Sequence, residues 1–229
     1  MRRPRAAWAL LVAAALLGPA AALAQEPAAP VGAAPAAASS AEAPAREPVY
    51  LAADLVITEL DGEGAETVKR MRLHKLGNKV RTVAELAEGD RFVGDTLYDY
   101  DRGEYFRKLA DQDITFSYRM LTRDRVRAQI FGFMDKPADD PEFRVKVNDD
   151  VPFDGHSCTL SLVGFPAAGR IHALHWVWQA NDLDGAVVRV VFPEDYDHIT
   201  IVEYLGASAA PFDPAAVQLP PDTVVMSAF

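Results

Sequence analysis

From residue 49 onward the chain is built of short alternating runs of apolar and polar residues, each closed by Gly, Asp or Asn. Leu51 to Leu60 reads as a strand ending at Asp61-Gly62-Glu63-Gly64, and Thr67 to Leu76 as one ending at Gly77-Asn78. Lys79 to Ala87 ends at Glu88-Gly89-Asp90, and Arg91 to Asp99 and Glu104 to Leu109 flank Asp101-Arg102-Gly103. A period of two gives each strand one face to bury, and the turn residues suit tight antiparallel hairpins. The regular spacing predicts a meander that curls into a large sheet or barrel. Lys69, Arg70, Arg72, Lys75, Lys79 and Arg81 read as a solvated face.

The period changes once. Between Ser117 and Met134, the residues Met120, Leu121, Val126, Ile130, Phe131, Phe133 and Met134 follow helical spacing, with Arg119, Arg123, Arg125 and Arg127 opposite them. Lys136-Pro137 closes this helix, and Asp139 to Glu142 reads as a loop. Alternation returns at Phe143, Val145 and Val147. Strands follow over Val151 to Gly164, Arg170 to Ala180, Ala186 to Phe192 and Ile199 to Leu205. The tail from Pro211 to Pro221 reads as an extended cover over one sheet edge. The predicted fold class is mainly β with minor α: a curled antiparallel sheet (an incomplete β-barrel) covered by a helix segment.

The N-terminus carries different information. Arg2, Arg3 and Arg5 precede an apolar run from Ala6 to Leu17, and Ala22-Leu23-Ala24 follows. This is the pattern of a cleavable secretory signal over residues 1–24, cut between Ala24 and Gln25. The apolar run is too short to hold a chain across a bilayer. No Cys stands at the cleavage site, and Pro4-Arg5-Ala6-Ala7 does not suit a twin-arginine signal. Residues 25–48 are mostly Ala, Pro, Ser and Glu, with almost nothing to bury, and are expected to form a disordered linker. The domain then occupies residues 49–229. The expected location is the periplasm.

Removing Arg2, Arg3 and Arg5 takes the formal charge from −10 to −13. That balance argues against nucleic acid and anionic membrane surfaces as partners. A single cysteine, Cys158, excludes an intrachain disulfide, so stability must come from an apolar core. Cys158 itself reads as a small buried hydrophobe.

Three constellations could carry chemistry. His172 and His175 resemble a metal pair, but Trp176-Val177-Trp178 marks a strand, on which positions three apart point to opposite faces. His156 and Cys158 share a strand face and could form a thiolate pair, yet no loop signals an oxyanion hole beside them. Asn181-Asp182-Leu183-Asp184-Gly185 has the composition of part of a calcium loop. Aligned on Gly185, however, it puts Ala180 and Val191 at the first and last ligand positions, so a hairpin turn explains it. Neither a metal, a cofactor nor a catalytic residue is expected.

The apolar set is the feature to promote. Leu174, Trp176 and Trp178 share one strand face, and Val188, Val190 and Phe192 share a face of the next strand. Ile130, Phe131 and Met134 on the helix could oppose them. The candidate binding residues are therefore Ile130, Phe131, Met134, Leu174, Trp176, Trp178, Val190 and Phe192. They line either an ordinary core or a cavity that accepts an acyl chain.

The second half also carries a resemblance. Gly155, His156 and Cys158 are followed by Trp176-Val177-Trp178, Asp182-Leu183-Asp184-Gly185, Val188-Arg189-Val190-Val191-Phe192, Val202-Glu203-Tyr204 and a tail with Asp213, Pro214, Leu219, Pro220 and Pro221. This order resembles the periplasmic lipoprotein carrier and sorting superfamily, the LolA/LolB-like proteins. The resemblance implies a concave, incomplete barrel wrapped around a helix, with acyl chains held between the two. It implies a non-catalytic binding protein for a lipid or lipidated protein. The alternatives are an envelope sensor or interaction module with a filled core and another envelope protein as partner, and a hydrolase using His156 and Cys158.

Overall fold

Twelve strands form one open sheet in the order β12-β6-β5-β4-β3-β2-β1-β11-β10-β9-β8-β7 in the computed structural model of the chain. It describes residues 50–84, 92–109, 112–135, 143–167, 170–195, 197–209 and 213–228. The signal, cleavage site and linker read in residues 1–48 lie outside the described residues, as do the ends read at Ala87 and at Lys136-Pro137.

The strands are β1 (Tyr50–Leu60), β2 (Glu66–Leu76), β3 (Lys79–Ala84), β4 (Phe92–Asp99), β5 (Glu104–Leu109), β6 (Ile114–Arg119), β7 (Phe143–Phe153), β8 (His156–Ala167), β9 (Arg170–Ala180), β10 (Ala186–Pro193), β11 (Ile199–Ser208) and β12 (Val224–Ser227). Among the described residues one α-helix, α1, spans Thr122–Ile130. Every neighbouring pair is antiparallel except β12, which lies parallel to β6. The fold is thus mainly β with a covering helix, and the sheet does not close.

Its curl follows from what α1 touches. Arg127 reaches Glu194, just beyond β10, and lines the same cleft as Tyr105 on β5. In a flat sheet those strands, six spacings apart, would stand roughly 29 Å from one another. A nine-residue helix is only about 13 Å long. The sheet must therefore bend toward α1. Leu55, Leu73, Val80, Tyr100, Val188, Val190, Val202 and Tyr204 from the concave side pack with Ala128, Ile130 and Phe131 of the helix segment.

Three elements differ from the sequence reading. The segment read as a helix from Ser117 to Met134 begins inside a strand: Ser117–Arg119 ends β6, and the helix starts only at Thr122. The run from Val151 to Gly164 is broken at Asp154 (φ 46°) and Gly155 (φ 86°), whose positive φ values turn β7 back into β8. Lys75 leaves the solvated face: alternation turns it toward α1, where it is buried and donates to Asp135 at 2.5 Å. Other cations find partners on the sheet surface, Lys69 with Glu59, Arg72 with Asp54 and Arg81 with Asp95.

The tail does cover an edge, by a later segment than expected. A 3-10 turn at Pro214–Val217 packs on β2 and β3 on the convex side, with Val217 buried. Beyond it, Val224–Ser227 pairs with β6. At the other edge, no strand among the described residues lies beyond β7.

Candidate ligand cleft

The cleft lies between α1 with its flanking residues and the β4–β5 hairpin. Asp124, in the first turn of α1, accepts the Leu121 N–H at 2.9 Å and complements the positive end of the helix. The helix stops at Gly132 (φ 73°), where a Cβ would lie 2.7 Å from the Val187 Cβ. Glycine therefore permits both the left-handed turn and the close approach to β10. That approach sets the aromatic pair that follows. The Phe131 and Phe133 rings meet edge to face at 5.9 Å, and Phe133 meets Tyr204 at 6.3 Å. The Tyr204 hydroxyl donates a hydrogen bond to the Phe131 carbonyl.

The opposite wall is a row of tyrosines. Register places Tyr98, Tyr105 and Tyr118 directly opposite one another on β4, β5 and β6. Ring centroids are 5.8 Å apart for Tyr98–Tyr105 and 4.9 Å for Tyr105–Tyr118, and Tyr98 stacks on Tyr100 at 5.9 Å. Burial raises the pKa of Tyr100 and Tyr204 well above the ordinary tyrosine range and raises that of Tyr105 as well. These phenols stay neutral at physiological pH and present ring faces with hydroxyl tips.

Between the two walls lies a half-open cleft of about 230 Å³. Tyr98, Tyr100, Tyr105, Met120, Phe131 and Phe133 supply its apolar lining, and Arg107, Asp124 and Arg127 its charges. Desolvation favours burying an apolar chain in a space so lined, and that needs no bond to be made or broken. A second cavity of about 270 Å³ lies between Gln218–Thr223 and β3–β6. It carries five charged residues, Arg81 paired with Asp95, Lys108 paired with Asp113, and Asp222, so it is a poorer host for an apolar chain.

The structure separates the candidate set read from the sequence. Phe131 lines the cleft. Ile130 and Val190 are buried in the packed core, with Met134 and Phe192 partly buried against it. Val190 stands opposite Val177 and Val202, whereas Trp176 stands opposite Val191 and Leu162. Directly paired residues share a face, so the two tryptophans and Leu174 lie on the other side of the sheet from Val190. There Leu174 is 43% and Trp176 36% exposed, while Trp178 is partly buried, packed against the core cluster and covered by Arg189, 5.0 Å from its ring. Tyr98, Tyr105, Met120 and Phe133 line the cleft without belonging to that set. The signal for the tyrosines is Tyr98-Asp-Tyr100 and Tyr105 across the Asp101-Arg102-Gly103 turn, a spacing that puts all three on one face of a hairpin.

The remaining constellations have structural partners. His156 Nδ1 lies 2.9 Å from the Asp182 carboxylate. Cys158 is fully buried, and desolvation raises its thiol pKa, which disfavours the thiolate. The His175 ring is buried, 6.4 Å from Phe192. The side chain of His172 lies outside the described residues. Asp184 takes φ 53° and Gly185 φ 75° in the β9–β10 turn.

No family model and no curated protein matches the chain. Solved structures similar to it include a LolA superfamily protein from Nitrosomonas europaea, at 10% identity over 76% of this chain and 91% of that one, with a TM-score of 0.40. They include the Mycobacterium tuberculosis lipoprotein LppX, at 12% identity over 72% and 89%, with a TM-score of 0.39. A third is PNGF-II, at 10% identity over 78% of this chain and a TM-score of 0.39, of whose length the chain spans only 31%. The family resembled by the order of elements is thus among the structural neighbours.

Proposed function

We propose that the chain is an exported, non-catalytic binding protein for an acyl lipid or a lipidated protein, acting in the traffic of outer-membrane lipoproteins. Residues 1–24 direct export and are removed before Gln25, residues 25–48 tether, and residues 49–229 bind, in the periplasm. Among the described residues no helix is long and apolar enough to cross a membrane.

The observation that carries the reading is the half-open aromatic cleft under α1. Its volume, about 230 Å³, is below the ~300 Å³ at which pockets for whole small molecules begin. It holds a segment of a chain rather than an entire lipid. Burying a methylene contributes about 0.8 kcal/mol, so about six of them give roughly 5 kcal/mol, enough for reversible capture. Further chain is taken up as α1 moves away from β4–β6.

Native mass spectrometry of the exported protein tests this. The expected spectrum shows the mature chain with an added lipid mass that organic solvent removes. A spectrum of bare polypeptide, unchanged after incubation with acyl lipid, refutes it.

One observation favours a second reading, an interaction module for another envelope protein. Phe143, Val145, Val147, Leu174 and Trp176 are exposed around the β7 edge. Under that reading the purified protein carries a protein partner and no lipid.

A further inference from the structure

We infer that the ligand of the cleft carries an anionic headgroup, and that Arg107 receives it. The inference rests on the binding-protein reading above and narrows its ligand class. Three charged side chains line the cleft, and two are already engaged. Asp124 accepts the Leu121 N–H and lies 3.9 Å from the Arg123 guanidinium. Arg127 pairs with Glu194 at 3.1 Å and Glu59 at 3.5 Å. Among the described residues Arg107 has no carboxylate within ion-pair distance. Its guanidinium instead lies over the Tyr105 ring, 5.5 Å from the centroid.

That placement is specific. Arg107 stands two residues beyond Tyr105 on β5, so both project from the same face of the sheet. A guanidinium resting on a ring keeps its N–H donors pointing outward in its own plane, a fork that matches carboxylate or phosphate oxygens. Arg107 is part-buried, so water screens it less than it would a surface cation. An amphiphile whose chain lies along Tyr98, Tyr100 and Phe133 brings its head to this fork. A neutral head leaves the donors to water, while an anionic head gains charge-assisted hydrogen bonds. With a net charge of −10 the chain as a whole does not draw anions in, so the selectivity is local to the cleft.

Calorimetric titration of the whole protein with decanoate, decyl phosphate and decanol, below their micellar concentrations, tests the inference. The expected result is about tenfold tighter binding of both anions than of the alcohol. Arg107→Gln binds all three alike, Arg107→Lys keeps part of the preference, and thermal unfolding checks that each variant is folded. A preference between the two anions identifies the headgroup as a carboxylate or a phosphate and supports the inference in either case. Equal binding of all three by the unmodified protein, or a preference that survives Arg107→Gln in folded protein, overturns it and leaves the binding-protein reading standing. Failure of all three to bind removes both.

Discussion

Gly132 fixes where α1 ends, and its replacement measures how tightly the helix is held against the sheet. Two costs separate cleanly. The first is conformational: Gly132 has φ 73°, a region that costs an L-residue with a Cβ about 1–2 kcal/mol. The second is crowding. A Cβ at Gly132 would lie 2.7 Å from the Val187 Cβ and 2.9 Å from its Cγ2. The Val187 Cβ is fixed to the β10 backbone, so relief requires the helix end to shift, at a further cost of about 1–3 kcal/mol. Gly132→Ala is therefore expected to cost about 2–5 kcal/mol in all. Gly64 supplies the control, with φ 81° and nothing within 4 Å of an added Cβ. Gly64→Ala bears only the conformational part, about 1–2 kcal/mol. At roughly 2–4 °C per kcal/mol for a domain of this size, the expected loss of Tm is about 2–8 °C for Gly64→Ala and about 4–20 °C for Gly132→Ala. Thermal unfolding followed by circular dichroism reads both, and urea midpoints at unchanged slope check the order. A Gly132→Ala protein as stable as Gly64→Ala would falsify the tight packing of the helix end on β10.

Three further outcomes follow from single side chains. Tyr204→Phe strands the Phe131 carbonyl in the core and should cost about 1–3 kcal/mol by urea unfolding; a change under about 0.5 kcal/mol contradicts the buried hydrogen bond. Cys158 should react with a thiol reagent only in denaturant, because burial both shields it and raises its pKa; prompt reaction of the folded protein at neutral pH contradicts this. His198 has its pKa raised from the usual 6.5, first by its hydrogen bond to Asp195 and then by that carboxylate's charge. Its stabilising contribution is full below 6.5 and is lost as the pH rises through the higher folded value. NMR titration should show His198 above 6.5 and returning toward it in Asp195→Asn; an unmoved value removes the pairing.

The strands are legible in the sequence because their physics is local. In β1, β2, β9, β10 and β11 the alternation and the closing turn residues lie within one stretch of chain, and the structure ends these elements within a few residues of the reading. The elements that differ need information from elsewhere. Ser117–Arg119 reads as the start of the helix until Glu104–Phe106 is there to pair with it. Asp154-Gly155 is the exception: the pair is itself a two-residue hairpin signal, both residues take positive φ, and a single strand over Val151 to Gly164 passes over it. Charge alone assigns Lys75 to solvent, yet its parity on β2 decides its burial, and only the position of Asp135 makes that burial tolerable.

The site is harder to read than the fold, for one reason of register. Each strand fixes its own two faces, but which face of β9 joins which face of β10 depends on the pairing offset between them. A bulge between Val187 and Arg189 stands within that pairing, and the result sets Val177 beside Val190 and Trp176 beside Val191. A one-residue difference in offset would send both tryptophans to the helix side. Where Val190 does lie, it packs in one buried cluster with Val202, Tyr204, Ile130 and Phe131. Room is left beside α1, between Tyr98 and Tyr105 on the sheet and Phe131 and Phe133 of the helix segment. The rings of Tyr98, Tyr105 and Tyr118 stack on each other along the sheet at 5.8 and 4.9 Å, while Tyr100, stacked on Tyr98 at 5.9 Å, is buried in one cluster with Ala128, Ile130 and Phe131. Stacking within the layer satisfies the aromatic faces of Tyr98 and Tyr105, which line the cleft. Arg107, the cleft's one cation without a carboxylate partner among the described residues, lies over Tyr105 in that row.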